Sequence, residues 1–363
     1  MKEIGLQELA DLAVGATLLG TGGGGDPFIG RLMAEAAISR YGPVRLADAE
    51  ELPDEGLVVP AAMMGAPTVM VEKIPNGREI ETAVATLEKI LDKTAVAVMT
   101  IEAGGINSMI PLAVAAQMNL PVIDGDSMGR AFPELQMTSF HVFGLKATPM
   151  ALVDEKGNSL VIDAIDNPWT ERLARTATVA VGGASIIALY PMTGRAAKRS
   201  MVRGTLTKAM DIGHLLGRSR RSREEKLNVL REQHGAVELF TGKVVDVERR
   251  SGDGFARGTV SCIGLGAYAD RVLRIEFQNE NLIAMCDGRV VATVPDLICV
   301  ADRETLMPIT TEGLMYGQRI VAFGLPCDPV WLTEKGMETV GPHYFGYEID
   351  YVPLAGARAR AAQ

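Results

Sequence analysis

The stretch Thr94–Gly105, TAVAVMTIEAGG, is apolar along most of its length and then breaks into a carboxylate and two glycines. A continuous apolar run with no alternation marks a strand buried on both faces, as in the middle of a parallel sheet. The flanks agree. GREIETAVATLEKIL before it has helical spacing, and SMIPLAVAAQMN after it reads as a helix leading to another short apolar run, LPVIDGD. Further upstream, PVRLAD and GLVVPAAMMG read as strands. Strands alternating with helices predict a layered α/β domain with a mostly parallel sheet.

The remainder divides by period. Residues 168–216, including WTERLARTATVAVGGASIIALYPM, read as mostly helical, and SREEKLNVLREQHG reads as a charged helix ending at Gly235. From Val237 the pattern changes to strand-like runs separated by Gly, Asn and Asp turns. The expected organisation is an α/β domain over 1–236, with a helical extension over about 168–235. A C-terminal β-rich domain over 237–335 follows, and then a tail, 336–363, that packs back at the domain interface.

Composition narrows the function. The 363 residues are 47% hydrophobic and 22% charged, with a net charge of −9 and acids mixed among bases. A nucleic-acid binder would show a basic face. The basic run GRSRRSREEK is closed by acids and reads as a solvated linker and helix start. No apolar run is long and uninterrupted enough for a membrane span, and MKEIGLQEL lacks the apolar core of a signal peptide. Cys262, Cys286, Cys299 and Cys327 lack CxxC spacing and read as buried thiols, which points to the cytoplasm. The apolar composition and aromatic tail suggest a homo-oligomer.

Three polar, glycine-rich points stand where a ligand would bind. The first is LLGTGGGGDP, Leu18–Pro27. Asp26 and Pro27 read as N-cap and first turn of a helix, and Gly22, Gly23, Gly24 and Gly25 let a flat ligand approach backbone amides. The loop formally fits GxGxxG, and Asp48 imitates a ribose-binding acid, but the segment before it reads as a helix, where a dinucleotide fold needs a strand. The GxxxxGK[ST] pattern fails because Asp26-Pro27 replaces the lysine and hydroxyl. The second is the end of the central run, with Glu102, Gly104, Gly105, Asn107 and Ser108. The third is VIDGDSMGRAFPELQM, with Asp124, Asp126, Arg130 and Glu134. Ligands of open α/β sheets bind outside the carboxyl ends of the strands. Carboxylates gathered there raise one another's pKa, which suits a general base, or they hold one divalent metal. Met64 and its neighbour read as pocket wall, Lys73 as a candidate partner for an anion, and His343 as the histidine nearest a site.

LLGTGGGGDP, PAAMMGAPTVMVEK, EAGGINSMIPLAVAA, DGDSMGRAFPELQM and the closing VGPHYFGYEIDYVP together resemble the S-methyl thiohydantoin desulfurase family, over nearly the whole chain. The resemblance implies an α/β N-terminal domain and a β-rich C-terminal one. It also implies hydrolytic removal of a methylthio group from an S-methylated thiohydantoin, giving a hydantoin and methanethiol, within the breakdown of S-methylated thioimidazoles. The motifs carry over without an assignment of catalytic residues. The chemistry itself assigns Asp124 or Asp126 as base, Glu102 as partner or proton donor, and Asn107 with the Gly104–Gly105 backbone as ring-binding groups. Arg130 or the glycine-loop amides would hold a substrate carboxylate. The competing expectations are a nucleotide-dependent, hydantoinase-like enzyme and a small-heterocycle-binding subunit without turnover. Stabilisation by nucleotide would favour the former.

Overall fold

The fold, taken from a computed structural model, is described for residues 2–65, 69, 77–252 and 255–354. In chain order the strands of its first half are β1 (Lys2–Ile4), β2 (Val44–Ala47), β3 (Leu57–Gly65), β4 (Ala95–Thr100), β5 (Val122–Ile123), β6 (Gly125–Asp126), β7 (Met150–Val153), β8 (Ser159–Ile162), β9 (Ala184–Ala188), β10 (Met192–Thr193) and β11 (Val202–Arg203). The first sheet runs β1-β2-β5-β4-β3-β9-β7-β8, with β10 also on β3, while β6 and β11 form a separate pair. Its centre, β2-β5-β4-β3, is parallel, as the strand–helix alternation predicts. The strands added on either side are antiparallel, so the sheet is mixed rather than mostly parallel.

The central strands are covered on both faces. Val98 of β4 joins a core built with α1 (Leu6–Leu19), α2 (Phe28–Tyr41), α3 (Glu79–Leu91) and α4 (Ile110–Met118). Its neighbours Ala97 and Met99 face the other way, into a second core with Phe132, Phe140 and Trp331. The period-2 geometry of a strand sends successive side chains to opposite layers, and both layers are apolar here. That is why the sequence shows no alternation.

The reading of 168–216 needs correction. A helix spans Asn167–Ala180, but Gly182 and Gly183 take positive φ of 100° and 87° and end it. The next residues, ASIIA, form β9, fully buried between β3 and β7. The helix Gly194–Ser200 is likewise separated from Thr205–Gly213 by β11.

The second sheet contains β12 (Val237–Gly252), β13 (Phe255–Gly264), β14 (Val272–Gln278), β15 (Glu280–Cys286), β16 (Arg289–Thr293), β17 (Leu297–Asp302) and β18 (Arg319–Leu325). It is antiparallel throughout, in the order β16-β15-β14-β13-β12-β18-β17. The sheet curls into a half-barrel, bringing β15 back toward β17, where Asn281 Nδ2 donates to Ile298 O at 2.8 Å. The four cysteines are free. Three are buried and Cys327 is half-buried. Among the described residues, no helix is long and apolar enough to cross a membrane.

The tail reaches the segment after β6 and the turn between β16 and β17. Tyr344 Oη donates to Glu134 Oε2 at 2.8 Å, and Tyr351 Oη donates to Asp296 Oδ2 at 2.8 Å.

Candidate active site

At the carboxyl ends of β3 and β4, the strand-end segments and the second sheet enclose a pocket of about 110 Å3. Its size is of the same order as the roughly 150 Å3 cavity that admits a benzene ring.

Glu102 follows β4 and is 5% exposed. Its Oε1 accepts from Asn107 Nδ2 at 2.8 Å, and its Oε2 accepts from the Phe132 amide at 3.3 Å. Asn107 is itself fixed, since its Oδ1 accepts from Met63 N at 2.7 Å. Burial pushes the Glu102 carboxyl up to about 7, while the Asn107 and Phe132 donors oppose the shift. A carboxyl near 7 is suited to proton transfer at neutral pH.

A second carboxyl in the pocket comes from β15. Glu280 is 2% exposed, and its Oε2 has no hydrogen-bond partner among the described residues. Burial raises its pKa well above the usual carboxylate range, and the charge of Glu102 raises it further, with Arg130 opposing. The sequence reading missed Glu280. It opens β15 just after the tight turn at Asn279, in QNENLIAMC, with no glycine to mark it as a ligand site.

The glycine loop lies between these two acids. A Cβ on Gly23 would stand 2.0 Å from Glu280 Oε1. A Cβ on Gly24 would stand 2.6 Å from the Cα of Gly104, and one on Gly105 would stand 2.2 Å from the Gly25 carbonyl oxygen. Ile106 N donates to Gly24 O at 2.9 Å. The glycines therefore serve two close approaches: loop against strand end, and loop against a buried carboxyl. The loop follows a helix, α1, rather than a strand. Its inner side faces the Glu280 carboxyl, where a polyphosphate would need a cation.

The other expected residues distribute as follows. Gly22, Gly25, Met64 and Glu134 line the pocket with Gly23, Gly24, Glu102 and Asn107. Gly104 and Gly105 back the loop. Asp26 sits outside: it accepts from Phe28 N at 2.9 Å, and Pro27, rather than Asp26, occupies the N-cap of α2.

Asp124 and Asp126 are not among the lining residues. Asp124 Oδ1 accepts from Thr207 N at 3.0 Å, and its Oδ2 accepts the Thr207 hydroxyl, which ties it to the helix Thr205–Gly213. Asp126 is fully buried, accepting from Gly129 N at 2.9 Å and Thr205 Oγ1 at 2.9 Å. Burial pushes it up to about 7, and the donors around it oppose the shift.

Arg130 is also fully buried and is not among the lining residues. It donates to the Pro295 and Asp296 carbonyls at 2.8 and 2.9 Å and to Thr21 Oγ1 at 2.9 Å, and it stacks on Phe132. Asp124, Asp126 and Arg130 thus spend their side chains on partners in segments distant in sequence. His343 is exposed, with Nε2 3.0 Å from Asp350 Oδ1 and away from the pocket. Lys73 lies outside the described residues. Among the described residues, no group of three or more His, Cys, Asp or Glu side chains is placed to hold a metal ion.

The family descriptions "S-Me-THD-like, N-terminal domain" and "S-Me-THD-like, C-terminal domain" match residues 7–164 and 165–354. The C-terminal match includes β9, which inserts between β3 and β7 of the first sheet. A crystal structure of a protein from Chromobacterium violaceum shares the fold, with a TM-score of 0.82 and 23% identity, over 98% of this chain and 100% of that one. No curated protein matches the chain.

Proposed function

The chain belongs to the S-Me-THD-like family, and from that premise we propose that it hydrolyses the methylthio group from an S-methyl thiohydantoin-like ring. The observation that carries the reading is Glu102: a buried carboxyl near 7, oriented by Asn107, on the wall of a ring-sized pocket.

In this proposal Glu102 takes a proton from water as the water oxygen attacks the ring carbon that bears sulfur. The C=N electron pair moves to the ring nitrogen, which takes a proton from Glu280. Collapse of the tetrahedral carbon breaks the C–S bond, and methanethiolate leaves with the proton held by Glu102. The new hydroxyl returns its proton to Glu280, so the net change is water in, hydantoin and methanethiol out. Two carboxyls whose surroundings separate their pKa values divide the base and acid roles in this way. Met63 and Met64, both on the pocket wall, offer polarizable contact to the leaving sulfur.

The test is release of methanethiol and appearance of hydantoin from S-methyl thiohydantoins. Turnover by the wild-type protein and its loss in a folded Glu102→Gln variant are expected. No release by the wild type from any such ring would sink the proposal.

A further inference from the structure

β8 (Ser159–Ile162) ends the first sheet, and among the described residues its outer side has no neighbouring strand. One step beyond its ladder with β7, Asn158 O accepts from Asp154 N at 3.0 Å. Pairing alternates along an antiparallel ladder, so Ser159 and Val161 turn their N–H and C=O groups outward. Such an edge is a template for another strand, and proteins commonly blunt it with charge, proline or a bulge. The SLVI of β8 holds neither charge nor proline.

The helix Asn167–Ala180 beside it is open in the same way. It buries Thr170, Ala174 and Thr178. Its exposed flank carries Trp169 and Leu173, one turn apart, where a surface helix would carry polar groups. Leu160 lies on the same face of the sheet as this helix, because Ile162, two residues along, packs in the core that contains Ala174. Leu160, Val161, Ile165, Trp169 and Leu173 are 38 to 77% exposed. Together they leave roughly 500 Å2 of side chain in water, and the strand backbone brings the face toward the ~800 Å2 per partner of a stable interface.

We propose that a second copy of this chain docks here, β8 against β8 across a two-fold axis, so that the two first sheets join into one. The edge complements itself. Antiparallel pairing sets outward residues opposite outward residues, Ser159 against the copy's Val161 and Val161 against the copy's Ser159. Leu160 then faces its own copy at a non-hydrogen-bonded position, where Cα atoms stand ~4.5 Å apart. The two Trp169–Leu173 flanks meet beside that pair on one face of the joined sheet. Such an interface is isologous and closes at two chains. None of the five apolar residues lines the pocket, so the proposal stands apart from the heterocycle reading.

The experiment is the molar mass of the purified full chain by light scattering, over a range of concentrations and beside three variants. The wild type is expected at the mass of two chains. Val161→Pro removes an outward N–H and leaves the ladder to β7 intact, and Leu173→Glu places a charge on the flank. Both should halve the mass while the protein still melts cooperatively. Leu160→Cys should lock the pair on mild oxidation, since a Cα separation of ~4.5 Å admits a disulfide. The wild type, whose cysteines are buried or half-buried, should not cross-link. If Val161→Pro fails to fold, the other two variants decide. A single chain at every concentration would overturn the proposal in favour of a different partner for this edge. So would a dimer that folded Leu173→Glu leaves intact and Leu160→Cys does not lock.

Discussion

Asn107 aims Glu102: its Nδ2 donates to Glu102 Oε1 at 2.8 Å while its Oδ1 accepts Met63 N at 2.7 Å. The end of β3 thereby orients the carboxyl that follows β4. Because this donor favours the charged form, removing it raises the Glu102 pKa further. The kcat/KM of the wild type is expected to rise with pH through about 7. In Asn107→Ala that rising limb moves to higher pH. The unpaired Met63 amide should also cost about 1–3 kcal/mol of stability. A pH–rate profile with an unmoved limb would show that Asn107 does not tune the base.

Glu102 also writes a pH dependence into folding. Its folded pKa, about 7, lies above the unfolded value of 4.5. Such a group contributes stability that is complete below the unfolded pKa and is lost as pH rises through the folded one. The shift corresponds to roughly 3 kcal/mol. Glu102→Gln should therefore match the wild type in denaturant at pH near 4 and be the more stable protein near pH 8. A variant equally stable or weaker at the higher pH would contradict the buried-charge account.

The two middle glycines of the loop should fail differently. In Gly23→Ala the new methyl group meets the Glu280 side chain, which can shift, so turnover should fall steeply with a modest loss of melting temperature. In Gly24→Ala it meets the Gly104 backbone, at a φ of +72°, and neither can yield. Stability should then drop by about 1–3 kcal/mol or more. The pair is read by thermal melts beside methanethiol release. Identical behaviour would mean that Glu280 has no role beyond packing.

Asp124 gives the converse test. It accepts from the first turn of the helix Thr205–Gly213, so Asp124→Ala is expected to lose about 0.5–2 kcal/mol, the worth of a helix cap. Turnover per folded molecule should persist. Abolished turnover in a protein that melts normally would return Asp124 to the list of bases.

Why Glu102 was legible and Glu280 was not follows from local chain chemistry. Glu102 closes an apolar run and is followed by two glycines, and the strand-end rule points at it. Glu280 follows a turn in the second sheet and reaches the site only because the two sheets meet. Asp124 and Asp126 satisfied the same strand-end rule, but their partners Thr205 and Thr207 lie on a helix whose docking no local pattern reveals. Residues 184–188 misled for a related reason. ASIIA suits a helix as readily as a buried strand, and the Gly182-Gly183 pair ahead of it was the signal for the break.

Arg130 stands at the junction of these parts, with Thr21 on one side and the Pro295 and Asp296 carbonyls on the other. The proposed base, Glu102, follows a strand of one sheet and the proposed acid, Glu280, opens a strand of the other, and this buried guanidinium bonds to segments of both halves. On the proposed mechanism, a chain in which either sheet forms alone holds one of the two carboxyls and should be chemically mute. Methanethiol production then reports on the joining of the halves, and heating should silence it at the point where they part, before either sheet has melted.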